Sequence, residues 1–362
     1  MKKRITILLS LCLLIGAAAW AVAGGTADDP LVSLGYLKET FAAAVDENVT
    51  AALDASDEEL AAALENGEDL AGTAGTWTET RLKMGDTLSG QTGTMVLPLA
   101  GGMKVSYAAG AVVDVTAGKV VPSESVLAPN HRYLVAEDTK ADFVVTDKTA
   151  VLDYQGSAFF VCSNAVDYNA MAAALKTLHL FKGSFTGYGE GFDLEVAPTR
   201  LQALIMFIRV LGEEEEALAW TGTTPFTDIA KGSQAEQYVG YAYSKGYTNG
   251  YTATTFKPAG AVNAYQYTEF VLRAMGYSSA TNTNIADALI RAQAVGLLTE
   301  GEAAALQTAT FLRAELVYIS YYALGTTLPD GYMTLSDMLQ SKDVFTAAEW
   351  KVAQKLVTGH RM

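Results

Sequence analysis

Over 362 residues the chain carries 25 Lys and Arg against 40 Asp and Glu, a formal charge of −15, and half of its residues are hydrophobic. That length suffices for two or three units with cores of their own. A surface this acidic repels nucleic acid, so no nucleic-acid partner is expected.

Residues 1–23, MKKRITILLSLCLLIGAAAWAVA, place three basic residues before an apolar run that ends in Ala21-Val22-Ala23. This reads as a signal peptide cleaved before Gly24, with Cys12 part of the apolar run. No later stretch is long and apolar enough to span a bilayer, so no membrane span is expected after cleavage. The remaining cysteine, Cys162, lies in the apolar run SAFFVCS and reads as a buried thiol with no intrachain disulfide. Residues 24–72 have helical texture, with a Ser56–Glu59 capping box. From 73 to 162 short Val/Thr/Tyr runs (TMVLPLA, MKVSY, AVVDVT, DFVVTD) alternate with turn residues such as Gly101-Gly102, Gly118 and Asn130, which predicts a small all-β sandwich or barrel.

The rest of the chain is helical and repetitive. Arg200 precedes Gly212 by twelve residues, and the same spacing separates Ala264 from Gly276 and Arg313 from Gly325. Each stretch has apolar residues at helical spacing and ends at a glycine suited to a left-handed cap. Repetition of this kind means units built to pack on one another. The units are expected at 165–218, 219–280 and 281–328, followed by a helical tail at 329–362 with a Thr346–Glu349 capping box. The acidic run Glu213–Glu216 reads as a solvated loop, because calcium would need spaced oxygen ligands about a tight turn.

Little in the chain points to catalysis. His131, His179 and His360 lie apart, none with a partner at metal-ligand spacing, and no nucleophile-elbow pattern occurs. Neither enzymatic activity, a metal nor a cofactor is expected. His131 reads as a turn residue. The helix starts carry more information. Thr199–Gln202 and Asn263–Gln266 form capping boxes, so Gln202, Gln266 and Glu315 read first as helix-start chemistry. Arg200 and Arg313 fall at the first helical position, where the macrodipole disfavours a cation. Two readings stand: an anion held by guanidinium and free backbone N–H groups together, or pairing with a nearby carboxylate.

Residues 225–277 read PFTDIAKGSQAEQYVGYAYSKGYTNGYTATTFKPAGAVNAYQYTEFVLRAMGY. An F-x-D opening, a helix, the Gly246–Gly250 turn, the Phe256-Lys257-Pro258 loop and a T-R-A-E-type helix follow in order. This resembles an S-layer homology (SLH) module. The first repeat matches at Gly183, Gly187, Phe192, Thr199 and Arg200, and the third keeps a Gly296…Gly301 turn and Leu312-Arg313-Ala314-Glu315. The stretch GAVVDVTAGKVV…NHRYLVAEDT is similar to a domain of secreted SLH proteins of the Firmicutes. The resemblance implies an α+β multidomain fold: a helical three-repeat pseudo-trimer bundle beside the all-β domain. It implies non-covalent anchoring of an exported cell-surface protein to cell-wall polysaccharide, often through a pyruvylated sugar. Carried over by residue, the glycan site comprises Thr199, Arg200, Gln202, Gly187, Gly250, Arg313 and Glu315. Position 264 is Ala where the family has Arg, and Gln stands at 202 and 266 where it has Glu. One alternative is an SLH-fold assembly module that has lost glycan binding and mediates protein–protein contacts; a second is an enzyme or ligand binder that uses the β unit.

Overall fold

The alternating apolar runs of the first half form ten short strands in the computed structural model, which describes residues 76–183, 191–278 and 284–362. The expected signal peptide, the 24–72 segment with its Ser56–Glu59 box, and Gly187 lie outside the described residues. The strands are β1 (Thr78–Lys83), β2 (Thr87–Gly90), β3 (Met95–Ala100), β4 (Met103–Ser106), β5 (Val112–Asp114), β6 (Lys119–Val121), β7 (Tyr133–Val135), β8 (Ala141–Val145), β9 (Thr149–Gln155) and β10 (Ala158–Val161). A six-stranded sheet has the order β1-β9-β3-β7-β5-β6, and a four-stranded sheet the order β10-β2-β8-β4. Along β8 buried and half-buried residues alternate, as a sheet with one face on a core requires. Leu88 and Phe143 from the smaller sheet join Val96 and Leu152 from the larger in one core, so the inner faces meet as a sandwich. Pro98 sits in β3 beyond the two residues that pair with β7, where its missing N–H leaves no ladder bond unmade.

Cys162 departs from the sequence reading: it is exposed. The apolar run just before it is β10, an edge strand whose Phe159, Phe160 and Val161 also face solvent. An apolar run is buried only where a second layer covers it, and nothing in local sequence shows which strand ends at the edge.

The helices are α1 (Tyr168–Thr177), α2 (Arg200–Val210), α3 (Glu214–Leu218), α4 (Gln234–Ser244), α5 (Ala264–Ala274), α6 (Ala288–Ala294), α7 (Glu300–Thr308), α8 (Arg313–Leu324), α9 (Leu335–Ser341) and α10 (Ala347–Leu356). They share one core running from Tyr168 to Ala353. Capping boxes start α2 (Thr199 with Gln202), α5 (Asn263 with Gln266) and α10 (Thr346 with Glu349). Gly212 and Gly276 take the left-handed conformation, with φ of +68° and +83°. Gly325 does not: it ends α8 at φ −86°. The Thr326 hydroxyl bonds the Tyr322 carbonyl at 3.0 Å, which satisfies an end carbonyl without a left-handed turn.

The Glu213–Glu216 run is also corrected. It opens helix α3 instead of a solvated loop. Glu213 accepts hydrogen bonds from the hydroxyls of Tyr241 (3.0 Å) and Tyr247 (2.9 Å). Glu214 accepts from Arg209, Lys182 and Tyr238. Burial alone would raise the Glu214 pKa, but these three donors outweigh it and hold the carboxyl at about 2.

The β sandwich and the helices touch directly. Asn169 of α1 donates to the Leu82 carbonyl of β1 at 3.3 Å. Arg81 of β1 lies over the Phe192 ring. Lys148, in the β8–β9 turn, pairs with Glu315 in the first turn of α8.

Candidate functional site

The segment from Phe226 to Pro258 shows how its motif builds a loop. The Asp228 carboxylate of F-T-D accepts the backbone N–H groups of Phe256 (2.8 Å) and Lys257 (2.7 Å). It thereby pins the F-K-P loop, with Lys257 held at φ +58°. Burial would raise the Asp228 pKa, and the two N–H donors lower it overall. Gly250 has φ +82°, and a Cβ there would lie 2.2 Å from the Phe226 ring, so the turn accepts only glycine.

This loop meets the start of α2. The Arg200 N–H donates to Gly260 O (2.8 Å) and the Leu201 N–H to Pro258 O (3.1 Å). The start of α8 makes the same kind of joint with the segment before α2: the Arg313 N–H donates to Val196 O (2.9 Å) and the Ala314 N–H to Leu194 O (3.1 Å). At α2 the third N–H bonds the Thr199 hydroxyl and the fourth the Thr199 carbonyl. The first-turn donors of α2 are therefore spent within the protein. This overturns the half of the anion reading that relied on free backbone N–H groups.

The guanidinium of Arg200 remains. Arg200 is only 6% exposed, and no carboxylate lies within ion-pair distance of it among the described residues. Its Nη2 donates to Gly250 O at 3.3 Å, while its Nε–H has no partner. The group sits over the rings of Phe256 (5.0 Å) and Phe270 (5.3 Å). Burial, then repulsion from Arg273, pushes its pKa below the ordinary value. A desolvated cation without a counter-charge is costly, and an anion at the unused donor would relieve that cost.

The other carried-over residues fare differently. Thr199 and Gln202 are occupied with each other in the capping box, and Gly250 contributes its carbonyl to Arg200. Arg313 donates from Nε to Phe192 O at 3.2 Å and lies over the Phe181 ring. Burial lowers its pKa, with the Asp193 charge opposing. At the second start Ala264 is buried and offers no charge. Glu315 is 1% exposed: Oε2 accepts the Leu312 N–H (2.7 Å), and Oε1 meets Lys148. Gln202, its counterpart in α2, is exposed.

The tyrosines between 238 and 251 divide. Tyr238 and Tyr241 are buried with their hydroxyls on Glu214 and Glu213, while Tyr243 and Tyr251 are exposed. His131 bonds Asp114 at 2.8 Å, beside the left-handed Asn130. Sequence reasoning missed Lys148, Phe270 and the role of Asp228. The F-x-D motif signalled the last; nothing local signalled the others.

A family model described as S-layer homology domain matches residues 225–263, which run from before Phe226 through the Asp228-pinned loop to the N-cap of α5. The chain thus contains an S-layer homology domain. Such domains generally anchor proteins to cell-wall glycan. No curated protein matches the chain. No described helix is long and apolar enough to cross a membrane.

Proposed function

We propose that this SLH-domain protein is an exported surface protein held non-covalently on cell-wall glycan, and that Arg200 is its contact with an acidic, pyruvylated or otherwise carboxylate-bearing sugar of the wall polymer. The observation that carries the reading is the Arg200 guanidinium. It is buried against Phe256 and Phe270, and among the described residues its Nε–H has no partner and the group no carboxylate within ion-pair distance. Its role is binding, with no catalytic step.

We read the helical region as three related units in a cyclic arrangement. In α2 the first two N–H groups bond carbonyls six and four residues before Ala264, and in α8 they bond carbonyls six and four residues before Arg200. The same register at two junctions supports one repeated joint. The three starts are chemically unequal. That of α5 lacks an arginine, and at α8 the arginine serves Phe192 while the glutamate serves Lys148. Acidic-sugar binding is therefore assigned to the α2 start alone.

That inequality also favours a second reading, an assembly module that kept the joint and lost the ligand. Co-sedimentation separates the two. The full chain should pellet with purified host walls and stay in solution with walls stripped of secondary polymer. Equal pelleting with both would favour adhesion through protein surfaces.

A further inference from the structure

Where the sandwich meets the helices there is a cleft of about 610 Å³, lined by the Gly101-Gly102 turn, by Asp147 and Lys148 of the β8–β9 turn, and by Glu195, Thr310 and Leu312. Its volume falls within the range of small-ligand sites, roughly 300–1,000 Å³.

Both walls are built rigidly. Glu195 lies between Leu194 and Val196, whose carbonyls are each bonded to the start of α8, so its backbone is fixed on both sides. On the opposite wall the Thr146 N–H donates to Gly102 O at 2.9 Å. A Cβ at Gly101 would lie 2.1 Å from Thr149 O, and one at Gly102 would lie 2.7 Å from the Asp147 carboxylate. Only glycines let the two turns come this close. The cleft also has a definite charge. Lys148 is neutralised by Glu315. Asp147 and Glu195 have no ion-pair partner among the described residues, and Glu195 Oε1 is buried with no hydrogen-bond donor. An unsatisfied buried carboxylate oxygen is costly and is relieved by a charged donor. The cleft therefore repels the acidic sugar assigned to Arg200.

We propose that this cleft is a second ligand site, selective for an amino sugar with a free ammonium group, which Glu195 and Asp147 would hold, with Thr310 lining the same cleft. No aromatic residue lines it among the described residues, so recognition rests on the ammonium and hydroxyl groups instead of ring stacking.

The test uses the full chain and two probes, the disaccharide of glucosamine and its N,N′-diacetyl form. Binding is followed by calorimetry and by amide chemical shifts at mildly acidic pH, where the amine is protonated. The glucosamine disaccharide should bind, shift residues 146–149, 194–196 and 310–312, and lose about tenfold or more in affinity in Glu195→Gln. Equal affinity for the diacetyl form would overturn the proposal. So would shifts mapping elsewhere, an unchanged affinity in Glu195→Gln, or tighter binding of a lysine tripeptide than of the sugar. If Glu195→Gln alters folding, the two probes and the shift map on the wild type decide the matter alone. These probes carry no anion, so failure here leaves the Arg200 reading standing, and failure of that reading leaves this one.

Discussion

Replacing Arg361 by Ala should destabilise the helical region. The side chain reaches the buried carboxylate of Glu302, which is 0% exposed, and donates to both of its oxygens. It also donates to Leu297 O at 3.1 Å and covers the Tyr322 ring at 3.9 Å. Stranding a buried charge costs about 3–5 kcal/mol. Here the Thr299 N–H (2.8 Å) and Tyr318 hydroxyl (2.6 Å) remain as donors, and Arg361 itself is partly exposed, so the low end of about 3 kcal/mol applies. In thermal melts this corresponds to roughly 6–12 °C at 2–4 °C per kcal/mol. The pH dependence gives a second check. Burial would raise the Glu302 pKa, but Arg361, Tyr318 and Thr299 outweigh it and hold it below its ordinary 4.5. A depressed carboxylate contributes stability above its unfolded pKa and loses it as pH falls through the folded value. In Arg361→Ala burial prevails and the pKa rises, so the variant is penalised at neutral pH and relieved in acid. The unfolded state is common to both and cancels, so the gap between wild type and variant should narrow as pH falls through the variant's raised pKa and close only below the depressed folded pKa of wild-type Glu302. Glu302→Gln in the same chain should recover most of the loss, since Gln serves at the same capping position in α2 and α5. A gap of the same size at neutral and acid pH, or no rescue by Glu302→Gln, would refute the reasoning.

Three further outcomes are expected. Asp228→Ala removes both N–H acceptors of the F-K-P loop and should cost about 1.5–3 kcal/mol, with faster hydrogen exchange at Phe256 and Lys257; unchanged exchange there would contradict the loop assignment. Glu315→Gln keeps the helix cap and removes the charge facing Lys148, so exchange should quicken in the 146–149 turn while α8 stays protected; protection lost in α8 would mean the ion pair holds the helix itself. Cys162 should react with a maleimide in the native protein about as fast as in denaturant, whereas marked protection would return it to the interior.

What could be read in the sequence was what depends on near neighbours. The boxes at Thr199–Gln202 and Asn263–Gln266 join residues three apart, and each was visible as a pair. Gly212 and Gly276 marked their helix ends for a reason local to the backbone. The β and helical textures likewise separated the two kinds of structure. Contacts that close across the fold were not legible. Lys148 and Glu315 are 167 residues apart, and no pattern links them. Glu213 and Glu214 looked like a solvated run because their tyrosine and arginine partners come from other helices. Arg200 stood out by its position against the helix dipole. That its backbone neighbours were already bonded, and its side chain enclosed by Phe256 and Phe270, needed the distant 256–260 loop to be in place.

The central claim is that Arg200 meets an acidic sugar, and calorimetric titration of the full chain with the host's own wall polymer tests it most directly. Arg200→Ala removes a charge-assisted contact worth about 1.5–3 kcal/mol, or roughly ten- to hundredfold in affinity, and wild-type binding should weaken as salt rises. Equal affinity in the wild type and in a folded Arg200→Ala variant would contradict the account.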